Sequence, residues 1–118
     1  MSLAPKVAAF ITALGSHSAR GGLGLTAIFR EARRRLKRFF VYVELAELML
    51  GAKLNVKVEL LDEQDDLVWD AMEVDEVNRL RTGAWLFHLD GPALPAGAYA
   101  LHLYVNGMIV DVRNLLLE

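Results

Sequence analysis

The 118-residue chain contains no cysteine. That excludes a disulfide framework, a thiolate metal site and a cysteine nucleophile, and it removes one argument for secretion. No apolar run reaches the roughly 18 residues that a membrane-spanning helix requires. An excess of one charge is missing too: 13 Lys and Arg stand against 15 Asp and Glu, for a net charge of −2, without the basic footprint usual for nucleic-acid binders. Internal repeats and low-complexity segments are absent. What is present is 54% apolar and 24% charged residues, which suits one compact domain over residues 1–118 with apolar surface to spare for a partner. The start, Lys6 followed by Val7 to Leu14 and then Ser16-His17-Ser18-Ala19, imitates a secretory leader, but the apolar stretch is short and the charge single. The expected location is the cytoplasm, with no membrane partner.

The clearest pattern lies in the last third. Tyr99, Leu101, Leu103 and Val105 alternate with Ala100, His102 and Tyr104, and Asn106-Gly107 then turns the chain back. Asn-Gly accepts positive φ at both central positions, so a two-residue hairpin is expected. Its register follows by arithmetic, partners summing to 213: Val105 with Met108, Leu103 with Val110 and Leu101 with Val112 on the apolar face. Tyr104 with Ile109, His102 with Asp111 and Ala100 with Arg113 form the other face.

Further strands are read by the same period-two rule. Phe39 to Ala46 is one and Lys53 to Leu61 another. The polar tip Asp62 to Asp66 leads to a return strand from Leu67 to about Val74. Asp75 to Gly83 reads as a loop or a short helical turn, and Trp85 to Asp90 as a strand. Gly91-Pro92 and Pro95-Ala96-Gly97 bracket a tight crossing. The first half admits two readings. Either Thr26 caps a basic amphipathic helix, supported by a Glu31–Arg35 pair, or Leu25 to Phe29 is a strand followed by an arginine-rich connection. Strand is preferred there and for Val7 to Leu14, which Gly15 closes. The expected fold is all-β and mostly antiparallel, an immunoglobulin-like two-sheet β-sandwich of 7–8 strands with at most one short basic helix. Leu94 to Tyr99 resembles the tyrosine corner of such sandwiches, in which the hydroxyl reaches back to nearby backbone.

Gly22 to Phe29, the strand from Phe39, Val58 to Asp62, Pro95 to Tyr99 and Val105-Asn106-Gly107 resemble, in that order, small bacterial immunoglobulin-like sandwich proteins of unknown function. In those proteins a proline-containing loop is usual where this chain has Arg33 to Arg38. The resemblance implies a fold and brings no catalytic residue.

No residue pattern specifies a reactive centre, so a non-enzymatic protein without a cofactor is expected. Gly22 to Ala27 loosely matches a dinucleotide fingerprint but lacks its strand-turn-helix context. His17, His88 and His102 show no metal-ligand spacing. Asp62, Glu63, Asp65 and Asp66 lack the glycine and distant glutamate of an EF-hand, and read as a solvated hairpin tip. Charge is segregated: six basic residues and one acid between Arg30 and Arg38, nine acids without a base between Glu59 and Glu76. Two contact surfaces follow. With Val41 and Val43 inward, Phe40 and Tyr42 face outward beside Tyr104 and Ile109, an apolar patch fit for a homo-oligomer or protein partner. The alternative is a nucleic acid or other polyanion on Arg33, Arg34, Arg35, Lys37 and Arg38.

Overall fold

A computed structural model describes residues 5–19, 22–29, 31–32 and 36–118, and at 16–19, 22–24, 26–28 and 31–32 it describes the backbone alone. Nine strands follow in order: β1 (Lys6–Ala19), β2 (Gly22–Ile28), β3 (Glu31–Ala32), β4 (Arg38–Ala46), β5 (Lys53–Leu61), β6 (Met72–Val77), β7 (Gly83–Asp90), β8 (Gly97–Val105) and β9 (Met108–Leu117). They form two sheets, β2-β1-β4-β7 and β3-β9-β8-β5-β6. The protein is a two-sheet β-sandwich, and the described residues contain no helix. Strands β1, β4 and β7 oppose β5, β8 and β9, the partition of A, B and E against C, F and G in immunoglobulin sandwiches.

Alternation builds the core. Phe39, Val41, Val43 and Leu45 of β4 are fully buried, and so, within a few per cent, are Leu54, Val56, Val58 and Leu60 of β5 and Leu101, Leu103 and Val105 of β8. Each such side chain removed from water contributes about 1.5–3 kcal/mol. Phe29 stands edge-on to Phe39, and Trp69 lies 5.7 Å from Phe39, closing one end of the core. The indole N–H of Trp69 donates to the Pro92 carbonyl at 3.0 Å, and the ring occupies the space that a Cβ at Gly91 would need. The tyrosine corner is formed: the Tyr99 hydroxyl donates to the Pro95 carbonyl at 2.6 Å.

The first half is extended, as preferred, but β1 runs on through Gly15 to Ala19. Its first part pairs with β4 and its second with β2, giving a long hairpin. Strand Gly22–Ile28 replaces the helix capped at Thr26.

Two registers differ from expectation. In the last hairpin Asn106 and Gly107 have positive φ, and Val105 pairs with Met108 and Tyr104 with Ile109 as the arithmetic requires. A bulge then intervenes, and Leu103 pairs with Asp111, His102 with Val112 and Leu101 with Arg113. The shift sets Leu115 opposite Tyr99 and buries Leu115 and Leu117; an unbroken register would have turned Asn114 toward the core at that point. In exchange Asp111 and Arg113 point inward, half-buried, while Val112 and Leu116 face solvent. The Asp111 carboxylate accepts the Val112 N–H at 2.8 Å, giving a donor beside the bulge a partner. The return from β5 also differs. Leu67 makes a single bridge to Leu61, Trp69 dives into the core, and pairing resumes only at Met72, so that Asp75 to Val77, expected as loop, belongs to β6.

Three outcomes test this packing. Gly91→Ala drives a methyl into the Trp69 ring and should cost about 1–3 kcal/mol of unfolding free energy, read from urea denaturation. Burial, and secondly the carboxylates of Asp62 and Glu63, raise the Tyr99 pKa above its usual 10.0. The folded state therefore favours the neutral phenol, so stability is intact below pH 10 and falls as pH rises through the folded pKa. Tyr99→Phe should flatten that fall in alkaline urea titrations, and at neutral pH should cost about 0.5–1.5 kcal/mol for the lost corner bond.

Candidate functional site

The outer face of the four-stranded sheet is built by the side chains that alternate with the core row of β4. Antiparallel register sets Ile11, Tyr42 and Leu86 in one cross-strand row, and Ala13, Phe40 and His88 in the next. Ile11, Phe40, Tyr42 and Leu86 are half-buried and Ala13 is fully buried. Phe40 and His88 stack at 4.8 Å between ring centres. A solvated sandwich face normally carries polar residues at these positions; here only His88 and the Tyr42 hydroxyl are polar in the two rows.

The outer face of the other sheet is a polar network. The Lys57 ammonium lies 4.7 Å over the Tyr104 ring and 3.9 Å from the Glu59 carboxylate. His102 Nδ1 is 3.4 Å from the Tyr104 hydroxyl, and Asn55 donates to both Glu73 and Asp75. Burial first, then the charge of Glu59 and its hydrogen bond, raise the Tyr104 pKa. Beside this network the outer side of β9 carries Ile109 and Val112, about half exposed, and then exposed Asn114.

The expected single patch is therefore divided. Phe40 and Tyr42 belong to the sheet of β4, whereas Tyr104 and Ile109 pair on β8 and β9 of the opposite sheet. The expected His102–Asp111 pair also fails, since the bulge sets His102 opposite Val112 and turns Asp111 to the inner face. His88 and His102 lie on different sheets, and among the described residues no group of His, Asp or Glu is placed to hold a metal. Gly22 and Gly24 lie in a strand opposite Ala19 and His17, not at a helix start. In the acidic tip, the Asp62 carboxylate accepts the N–H groups of Gln64 and Asp66, and Glu63 accepts that of Ala98. These two carboxylates are therefore committed to shaping the turn. Of the basic segment, Lys37 and Arg38 are exposed, with Arg38 opposite Asp90; Arg33, Arg34 and Arg35 lie outside the described residues.

Sequence reading missed the loop end of the sandwich. Buried Asn78 ties two loops together: its side-chain amide donates to the Met49 carbonyl at 3.0 Å, its backbone N–H to Ala52, and its carbonyl accepts from Gly51. Leu48 N–H donates to Arg81. Asn106 joins the turn to β5 by exchanging bonds with Asn55 at 2.8 and 2.9 Å. A cleft of 430 Å³ opens between these loops, with Leu48, Leu54, Asn78 and Asn106 in its lining and Lys53 and Arg81 among its charged walls. Met49, Leu80 and Met108 at this end are the most exposed large apolar side chains among the described residues, at 72%, 67% and 67%. The available signal was the apolar pair Met49-Leu50 directly before Gly51, where a turn is ordinarily polar. No known protein-family model and no curated protein matches the chain.

Asn78→Ala should leave the Met49 carbonyl with only the long 3.5 Å bond from the Ala52 N–H and destabilise the fold by about 0.5–1.5 kcal/mol. Hydrogen exchange at Leu48 and Gly51 should quicken more than at β4 if the staple acts locally.

Proposed function

We propose that the protein is a non-catalytic interaction module that uses the outer face of its four-stranded sheet to dock another protein surface, a second copy of the chain included. One observation carries this reading. Apart from His88 and the Tyr42 hydroxyl, the rows Ile11-Tyr42-Leu86 and Ala13-Phe40-His88 are apolar where a solvated sheet would be polar, and their registry makes them contiguous. Aromatic anchors held by cross-strand neighbours lose little freedom on docking, which favours Phe40 and Tyr42 as the central contacts. Tyr104 and Ile109, on the opposite sheet, do not belong to this surface.

Solution mass measured by sedimentation across micromolar concentrations tests the homotypic form. The expected result is concentration-dependent association that Tyr42→Glu weakens by about tenfold or more without changing the circular dichroism spectrum. A dimer unaffected by Tyr42→Glu would place the contact elsewhere.

A further inference from the structure

The two ends of the sandwich differ in charge while both expose apolar side chains. Strand β5 separates them: Lys53 begins it at the loop end, and the acidic tip follows Leu61 at the other, about 27 Å away at 3.3–3.4 Å per residue. Among the described residues at the loop end the exposed cations Lys6, Lys53, Arg79 and Arg81 outnumber the acids Glu47, Asp75 and Glu76, and Lys53 and Arg81 line the 430 Å³ cleft together with Met49. At the far end Leu67 is 48% exposed. It shares a surface hollow with Asp70 and Asp90 and directly follows exposed Asp65 and Asp66. Lys37 and Arg38 also lie at this end, beside Asp90 and Gly91, so its acidic character is concentrated at the hairpin tip.

We infer that the loop end receives the acidic tip of a second copy, Leu67 entering the cleft beside Met49 while Asp65 and Asp66 meet Arg81 and Lys53. Three features support that occupant. The charges are complementary. The cleft is of a size that encloses ligands, about 300–1,000 Å³. Finally, the loop backbone is already hydrogen-bonded through Asn78 and Asn106, so covering it with another chain strands few polar groups. Head and tail are different surfaces, which makes the contact heterologous: successive copies add in one direction, and either end can be blocked separately. This contact shares no residue with the outer sheet face and stands or falls independently of it.

The experiment mixes two variants of the full chain. Arg81→Glu with Met49→Ser disables the loop end, and Asp66→Lys with Leu67→Ser disables the tip; all four positions are exposed, and circular dichroism checks that each variant folds. Both are made in the Tyr42→Glu background, so that the sheet-face contact does not contribute. Sedimentation should show the Tyr42→Glu protein associating end to end and each disabled variant weakened by about tenfold or more. An equimolar mixture of the two disabled variants should give a 1:1 dimer that grows no further, because each supplies the one intact end the other lacks. Raising salt from 0.05 to 0.5 M should weaken that dimer. A monomeric Tyr42→Glu background at high micromolar concentration, or a mixture that forms no dimer, overturns the inference. Loss of association through Tyr42→Glu alone would leave the sheet face as the contact and refute the end-to-end one.

Discussion

Everything in this fold depends on the inward row of β4. Phe39, Val41, Val43 and Leu45 are completely removed from water and face the equally buried rows of β5 and β8 across the sandwich. Because a strand's side chains alternate strictly, fixing that row fixes what the other side of β4 presents. Phe40 and Tyr42 are outside because Phe39 and Val41 are inside. The same register carries outward the neighbours of Phe40 and Tyr42 on β1 and β7, so the apolar outer face is a consequence of core alternation combined with an unusual choice of residues at the outward positions.

Much of this was legible in the sequence, for a physical reason. The period-two pattern of β5 sorts apolar from polar residues cleanly, β4, β7 and β8 keep the same period around a continuous inward apolar row, and Asn106-Gly107 has one cheap conformation. Strand β9 was harder. Val110 and Val112 are apolar in one phase, Leu115 and Leu117 in the other, and no local signal says which pair the core prefers. Tertiary packing decides it: the bulge serves the end of the strand, where Leu115 meets Tyr99, and leaves Asp111 and Arg113 on the inner side. Trp69 shows the same limit. It stands in a stretch that reads as a strand, yet an indole that fills the gap beside Phe39 and bonds Pro92 outweighs the few ladder bonds it forgoes.

The candidate surfaces divide along the same line. Outwardness of Phe40, Tyr42, Tyr104 and Ile109 followed from alternation and holds for all four. Their grouping required knowing which strands share a sheet, and neighbouring positions in a sandwich depend on connections that cross between layers, as from β4 to β5 and from β7 to β8. The loop end was least visible, since its key residue is an asparagine. Asn78 has no period to betray it; its role comes from lying where two loops converge and from carrying both a donor and backbone groups that each loop leaves unpaired.

That staple bears on what the loop end is for. An exposed methionine or leucine on a mobile loop is unremarkable, because motion lets it fold back against the surface. The backbone around Met49 and Leu80 is tied down instead. The Met49 carbonyl is held by Asn78, the flanking Leu48 and Gly51 amides are bonded across to the neighbouring loop, and the apolar tips project from a backbone fixed on both sides. Holding apolar groups outward against the hydrophobic effect is unfavourable in the isolated chain. It becomes favourable once a surface covers them, and a backbone already ordered and hydrogen-bonded loses little entropy in being covered. The outer face of the four-stranded sheet satisfies the same condition by a different device, since its aromatic rings are braced by cross-strand neighbours. Braced rings at one place and a hydrogen-bonded backbone at the other are what the two proposed docking surfaces have in common.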